Sequence, residues 1–128
     1  MGTKTQDALG QFEQLVLTAM MAAAPDAYAS AIRQKAMELG GRKVTFESVF
    51  ITLGRLQEKG YVASKRGTPS SNGGRPKRYY RMRAAGERAL REAFETSKRL
   101  QQTAASRFQF VEWKIQNIQN PTAEPDGS

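Results

Sequence analysis

The chain of 128 residues contains no cysteine and no histidine. Without cysteine there are no disulfides, thiolate nucleophiles or thiolate metal ligands, and without histidine the commonest general base and metal ligand are missing as well. No pair of acidic residues converges in the pattern of predicted elements. We therefore predict that the protein is not an enzyme and that it holds no metal and no cofactor.

Acidic residues are scarce relative to basic ones, with 12 Asp and Glu against 20 Lys and Arg, which gives a net charge of +8. Residues 60–91 contain nine of the cations and one acid, so this segment alone accounts for the net charge, and the charges elsewhere cancel. A chain that is 39% hydrophobic is too apolar for a disordered basic tail. The composition indicates a folded domain that meets a polyanion, with nucleic acid as the first candidate.

Long apolar runs are also missing, since no stretch approaches the roughly 20 residues that a membrane-spanning helix needs. The apolar run over residues 15–24 superficially resembles the core of a signal peptide. Asp7 and Glu13 interrupt such a pattern, and the apolar residues recur at helical spacing. We therefore expect an amphipathic first helix in a soluble, cytoplasmic protein that does not contact a membrane.

The remaining pattern predicts three helices followed by a pair of strands. The predicted elements are helices over residues 6–24, 27–39 and 46–59, a strand over 61–66, a loop over 67–74 and a strand over 77–82. Asp26 is expected to cap the second helix and Thr45 the third, while Gly40, Gly41 and Gly60 are expected to end them. The predicted fold class is mainly α with a two-stranded β-wing, a winged helix-turn-helix over residues 6–83.

Side-chain periodicity predicts which faces of these helices are buried. The first helix should bury Leu9, Phe12, Leu15, Val16, Ala19 and Met20, and the second should bury Tyr28, Ile32, Ala36 and Leu39. Val49, Leu53 and Leu56, with Phe50 alongside, form the predicted core stripe of the third helix, and Thr52 is predicted on the opposite face. On the returning strand, alternation turns Tyr80 and Met82 inward.

The pattern of residues 84–119 predicts one long helix. It contains no proline, and positions 90, 94, 97, 101, 104, 108, 111, 115 and 118 follow each other at alternating spacings of four and three, as in a heptad seam. Ser97 and Gln101 in the middle of the seam are polar, so the pattern favours two apolar patches over one continuous zipper. A helix of about 35 residues is near 50 Å long, too long to be covered by so small a domain, so we expect a second copy to cover it. Residues 120–128 are predicted to be a disordered tail. The predicted dimer interface is Leu9, Phe12, Leu90, Phe94, Ala104, Phe108, Val111, Ile115 and Ile118.

Two segments carry a resemblance to a known family. They are VFITLGRLQEKGYV at residues 49–62 and GGRPKRYYRM at residues 73–82. Over roughly residues 9–95 the chain resembles the PadR-type bacterial transcriptional regulators, and its short region after the wing is similar to their small branch with a single C-terminal helix. The resemblance implies homodimeric winged-helix DNA binders, usually repressors, whose C-terminal helices dimerise. Some short members bind flat aromatic drugs through a tryptophan near the position of Ser97. Trp113 is the only tryptophan here, so drug sensing is not carried over.

Candidate site residues are assigned from the helix-turn-helix context and from strand alternation. The recognition helix and its approach are expected to contact DNA through Lys43, Thr45, Glu47, Ser48, Phe50, Ile51, Thr52 and Arg55. The wing is expected to contact DNA through Arg75, Lys77, Arg78 and Arg81. A ligand pocket between two copies is hypothesised around Phe12, Leu15, Phe94 and Ser97.

The expected partners are double-stranded DNA, a second copy of the chain and a small-molecule effector. The predicted function is a sequence-specific transcriptional regulator, a homodimeric repressor that binds an inverted-repeat operator. The alternative is a winged-helix module that binds a protein or RNA without promoter-specific DNA binding.

Overall fold

The computed structural model describes residues 8–67 and 76–119. The elements in chain order are α1 (Gln11–Ala23), α2 (Ala29–Gly40), α3 (Phe46–Glu58), β1 (Val62–Arg66), β2 (Arg78–Met82) and α4 (Ala84–Gln119). This confirms the predicted fold class, three helices and a two-stranded wing followed by a long C-terminal helix. The wing-loop residue Arg75 and the predicted tail at residues 120–128 lie outside the described residues.

The two strands form an antiparallel pair in a fixed register. Val62 lies opposite Met82 at one end, and Arg66 lies opposite Arg78 at the other. The Gly67 amide donates to the Lys77 carbonyl at 2.6 Å, which extends the pairing one step beyond the strands. The sheet found in the described part of the chain therefore consists of two strands, β1 and β2.

α1 begins later than its apolar pattern predicts. The Gly10 backbone is extended (φ −74°, ψ 169°), and its amide donates to the Glu13 carboxylate at 2.9 Å. The carboxylate thereby satisfies an amide near the helix start and suits the positive end of the helix dipole. The helix predicted from residue 6 therefore begins at Gln11.

The predicted Asp26 cap of α2 is wrong. The residue that precedes the helix is Tyr28, which is extended and makes no side-chain cap. The cause lies in the wing, because the Tyr80 amide donates to the Ala27 carbonyl at 2.9 Å and Tyr28 forms a β-bridge with Tyr79. Residues 27 and 28 are held extended against β2, so the helix starts at Ala29.

The core lies where α1, α2 and α3 meet β1 and β2. Its largest fully buried side chains are Val16, Leu17, Met20, Ile32, Val49, Leu53, Leu56 and Val62. Tyr80 is buried beside them, which confirms the predicted inward face of β2, and burial raises the pKa of its hydroxyl. Leu17 was not predicted in the core, and Leu39, which was, is exposed.

A half-buried ion pair joins the start of α1 to the end of α3. The Lys59 ammonium donates to the Glu13 carboxylate at 2.9 Å, and the side chains are 25% and 10% exposed. Burial raises the pKa of Glu13, but the hydrogen bond from the Gly10 amide and the Lys59 charge outweigh it, so the pKa lies below its ordinary value. The pair satisfies a carboxylate that would otherwise be costly to bury.

The chain divides into two compact units, one ending at Ala93 and one beginning at Phe94. The first turns of α4 belong to the first unit. The Arg83 amide donates to the Tyr61 carbonyl at 2.9 Å, and a Cβ at Gly86 would clash with that same carbonyl, so glycine permits the close approach. Leu90 is buried there.

Two residues predicted for the dimer interface lie in the core of the first unit instead. Leu9 and Leu90 are both buried within one chain. The heptad seam placed Leu90 on a surface for a second copy, but the fold covers it with residues of its own unit. These two predictions are therefore wrong.

The second unit is the remainder of α4, and seven of its large apolar side chains are exposed. They are Phe94, Leu100, Phe108, Phe110, Val111, Ile115 and Ile118. Ala104 is partly exposed. In residues 8–67 and 76–119, no helix combines the length and the apolarity needed to cross a bilayer.

Candidate nucleic-acid interface

The turn between α2 and α3 is held by a glycine and an arginine. Gly41 has φ 67° and ψ 23°, the left-handed conformation that glycine adopts without steric cost, and its amide donates to the Met37 carbonyl. The Arg33 Nε donates to the Val44 carbonyl at 2.7 Å, while the Val44 side chain is buried. Together these contacts fix the angle at which α3 leaves α2. Lys43 is exposed just before α3.

Thr45 caps α3, as predicted. Its hydroxyl oxygen accepts from the Ser48 amide at 3.1 Å. The two side chains are also linked, because the Thr45 hydroxyl donates to Ser48 Oγ at 3.0 Å and the Ser48 hydroxyl donates to the Thr45 carbonyl at 2.9 Å. Both hydroxyl hydrogens are used within the cap, so Ser48 can offer a base a remaining lone pair as acceptor.

The exposed face of α3 contains most of the predicted contact residues. Glu47, Phe50, Ile51 and Arg55 are exposed, and Ser48 is partly exposed. The prediction that Phe50 lies alongside the core stripe is therefore wrong. At 100° per residue, Glu47 and Ile51 lie at the centre of this face, whereas Ser48 and Arg55 lie on one flank. This half of the helix therefore combines an acid, an apolar side chain, a hydroxyl and a guanidinium.

The prediction that Thr52 faces DNA is wrong. Thr52 is 4% exposed, and with Val49, Leu53 and Leu56 it completes the i, i+3, i+4, i+7 stripe that α3 buries. The apolar pattern predicts Val49, Leu53 and Leu56 as the stripe, and it places the i+3 position on the outer face because threonine is polar. In the fold, position on the helix decides its burial.

Sequence reasoning missed one exposed aromatic side chain. Phe46, the first residue of α3, is exposed, and its ring stacks on that of Phe50 with centroids 6.1 Å apart and planes inclined by 12°. The signal that could have found it is the pair of phenylalanines spaced i, i+4 directly after a cap residue.

The base of the wing is anchored to the start of α2 through an aromatic cluster. The Tyr28 and Tyr79 rings meet edge to face at 5.6 Å, and the Lys77 ammonium lies 4.1 Å from the Tyr28 centroid. Lys77 remains exposed. The cation–π contact therefore positions Lys77, a predicted DNA-contacting residue, and leaves its charge available to a polyanion.

The outer end of the wing concentrates like charges. Arg66 lies directly opposite Arg78 in the register, and both are exposed. Arg78 Nη1 donates to Ser64 Oγ at 3.1 Å, and Arg81 is exposed opposite Ala63. Like charges on opposed strand positions repel each other, and a bound anion would relieve that repulsion.

The acid of the basic segment does not offset this charge. Glu87 pairs with Arg91 at 2.8 Å on α4, in an exposed i, i+4 pair. The cations Lys65, Arg66, Lys77, Arg78 and Arg81 are exposed on or beside the two strands. The strand pair and the outer face of α3 thus belong to the same unit. The strand pair presents cations suited to phosphates, and α3 presents side chains suited to base edges.

The residues of the hypothesised ligand pocket divide between the two units. Phe12 and Leu15 are half-buried on α1, where the Arg42 guanidinium lies 5.9 Å from the Phe12 ring centroid. Phe94 is exposed, and Ser97 Oγ accepts from the Gln101 side-chain amide (Nε2) at 2.9 Å. The pocket stays a prediction.

Comparison with solved structures shows the same fold in several regulators. A PadR-like transcription factor from Bacteroides fragilis is 26% identical and superposes with a TM-score of 0.62 over 80% of this chain and 94% of its own. A PadR family transcriptional regulator from Eggerthella lenta DSM 2243 is 24% identical, with a TM-score of 0.62 over 81% of this chain and 87% of its own. A Streptococcus transcriptional regulator is 18% identical, with a TM-score of 0.61 over 82% and 97%.

Comparison with curated proteins gives no significant match. The family model of the PadR-like transcriptional regulators matches residues 17–92. That range contains α2, α3, both strands and the first turns of α4, which are the elements that form the helix-turn-helix and the wing. The chain belongs to the PadR-like family of transcriptional regulators.

Proposed function

We propose that the protein is a homodimeric repressor that binds an inverted-repeat operator through two copies of α3 and two wings. The observation that carries this proposal is the combination within one unit of an exposed, capped α3 and a strand pair with opposed arginines. The helix is suited to the major groove, and the strand pair to the flanking phosphates. In a symmetric dimer the half-sites lie about one helical turn, roughly 34 Å, apart.

The second unit supports the dimeric part of the proposal. Phe94, Phe108, Val111, Ile115 and Ile118 recur at seam spacing and are all exposed. An exposed apolar patch of this kind marks an interaction surface, and a repeating seam is satisfied by an identical helix. A small effector bound between the copies, near Phe12, Leu15, Phe94 and Ser97, would then alter the spacing of the two recognition helices.

The test is a nuclease footprint of the purified protein on the DNA upstream of its own gene, at stated salt concentrations. We expect protection of an inverted repeat. A footprint without symmetry would contradict the dimeric operator, and uniform binding to all sequences would favour the alternative of an interaction module. Calorimetric titration with candidate aromatic ligands tests the pocket, and a ligand that binds there should release the footprint.

The contribution of the wing is tested by the salt dependence of DNA binding. The Lys77→Gln and Arg81→Gln double variant should weaken binding to all sequences and lower the slope of log K against log salt by roughly two units, since each phosphate contact contributes about 0.9. The Lys98→Gln and Arg99→Gln double variant loses the same charge on the second unit, where both side chains are exposed. An equal change of slope in both variants would mean that net charge alone determines binding.

A further inference from the structure

The outer face of α3 carries an apolar strip that its position in a DNA-binding unit does not require. Phe46, Phe50 and Ile51 are 48%, 55% and 57% exposed. The interior of the unit is filled without them, because Val49, Leu53 and Leu56 form the buried side of the same helix. Three large apolar side chains on one short exposed surface indicate contact with an apolar feature of a partner.

The strip is formed before any partner binds. The Phe46 and Phe50 rings are stacked at 6.1 Å with planes inclined by 12°. Each ring restricts the other, and the i, i+4 spacing holds both on one flank of α3. Little side-chain entropy therefore remains to be lost on binding, so we expect contacts to these rings to contribute to affinity with a small entropic cost.

The surroundings of the strip select among apolar partners. Glu47 lies beside Ile51 at the centre of the face, Ser48 and Arg55 lie on the opposite flank, and Lys43 precedes the helix. Hydrogen-bonding groups on one side and an apolar strip on the other match the major groove, where base edges offer donors and acceptors. In that groove, the apolar group is the C5-methyl of thymine.

We propose that the stacked Phe46 and Phe50 rings, with Ile51, contact thymine methyl groups and so select half-sites that contain thymine at defined positions. The inference rests on the proposed function, in which α3 enters the major groove. Phe46 and Phe50 act here as specificity-determining residues. The wing supplies affinity that does not depend on base sequence.

The first experiment uses a random-sequence duplex library and the purified full chain. Bound duplexes are selected and sequenced, and each thymine of the resulting consensus is replaced by deoxyuridine, which removes the methyl group and keeps the base pairing. We expect affinity to fall about fourfold for each methyl group in contact, the fold-change that corresponds to about 0.8 kcal/mol for one buried CH₂. Replacement of thymines outside the half-sites should leave affinity unchanged.

The second experiment assigns the methyl contact to the rings. Phe46→Ala and Phe50→Ala should each lose the fourfold preference at the thymine that the removed ring contacts, while the contacts of the remaining ring and of Ile51 are kept. Leu39→Ala is the matched control, because Leu39 is 53% exposed on α2 and lies outside α3. It should keep the preference. The measurement on the unmodified protein needs no variant, so the test stands even if a variant unfolds.

The outcomes separate the inference from the function on which it rests. Sequence-specific binding with no loss on deoxyuridine substitution would overturn the inference and leave the regulator intact. A preference that persists undiminished at every thymine in both alanine variants would also overturn it. Failure of the library to yield any consensus would overturn the proposed function and the inference with it. Loss of the preference only in the phenylalanine variants would support both.

Discussion

The two units of this chain differ in the exposure of their apolar side chains, which are largely buried in the first unit and largely exposed in the second. In the unit that ends at Ala93, the core cluster is enclosed by three helices and the strand pair of a single chain. In the unit that begins at Phe94, the apolar residues Phe108, Val111, Ile115 and Ile118 of α4 are exposed. The same type of residue thus stabilises a fold in one region and offers a surface in the other, because a single helix cannot cover its own apolar face.

The largest expected effect breaks the proposed dimer through the second unit. Phe108→Asp combined with Ile115→Asp removes two apolar side chains in each copy, and full burial of such a side chain contributes about 1.5–3 kcal/mol. Because a two-fold interface repeats each loss, the dimer should lose roughly 6 kcal/mol, about a 10⁴-fold rise in Kd. Sedimentation velocity should show a monomer.

The control for this variant uses the other side of the same helix. Phe110→Asp combined with Trp113→Asp introduces the same charge at positions off the seam, and this protein should remain a dimer. If both double variants were monomeric, added charge rather than loss of the seam would be the cause. If neither were, α4 would not be the dimer interface.

The next effect compares the same residue type in the two units. Leu53→Ala should lower the free energy of unfolding by about 3–4 kcal/mol, because Leu53 is fully buried and its removal leaves a cavity. Leu100→Ala should lower it by less than about 0.5 kcal/mol, because Leu100 is 65% exposed. Urea denaturation measures both. Equal losses would contradict the division into a buried and an exposed apolar set.

A smaller effect is expected from the ion pair that joins α1 to α3. Lys59→Met should cost roughly 2 kcal/mol, between the values for exposed and fully buried pairs. The matched change Lys35→Met breaks the exposed Lys35–Glu38 pair, 3.5 Å long, and should cost less than about 0.5 kcal/mol. A loss for Lys59→Met no greater than for Lys35→Met would show that burial adds nothing to the pair.

The pair also predicts a pH dependence. The pKa of Glu13 is lower in the folded state than its ordinary value of 4.5, so its stabilisation is present above that value and is lost as pH falls through the folded pKa. The unfolding free energies of the unchanged protein and Glu13→Gln should therefore converge as the pH is lowered from about 5 to about 3. A difference that stays constant with pH would exclude ionised Glu13 as the source.

The smallest effect concerns the cap of α3. Thr45→Ala should cost about 1 kcal/mol, because the Ser48 amide loses its acceptor, and Thr45→Ser should restore most of it. Thr96→Ala is the control in the second unit, where the Thr96 hydroxyl accepts only from exposed Arg99. Thermal unfolding distinguishes the two. An equal loss of stability for Thr96→Ala and Thr45→Ala would mean that the Thr45 cap stabilises the fold no more than an exposed hydroxyl does.

Sequence alone predicted the elements whose signals are local. The Thr45 cap, the glycine that ends α2, the winged-helix order and the inward face of Tyr80 depend on spacing and residue type within one element, and the structure confirms them. The family resemblance is confirmed as well, because the family model matches residues 17–92, which include both segments that carry the resemblance. Residues such as Arg55 and Arg81 are exposed as expected, and their contacts with DNA stay a prediction.

Other features were decided by contacts between elements that are distant in the chain. The Tyr80 amide holds Ala27 extended, so α2 starts at Ala29 and Asp26 does not cap it. Leu90 is buried by its own unit although its heptad position predicts a surface, and Thr52 is buried because the i+3 position of the stripe faces inward. Such outcomes depend on which partner a side chain meets, and periodicity describes the face of an element without naming what covers it.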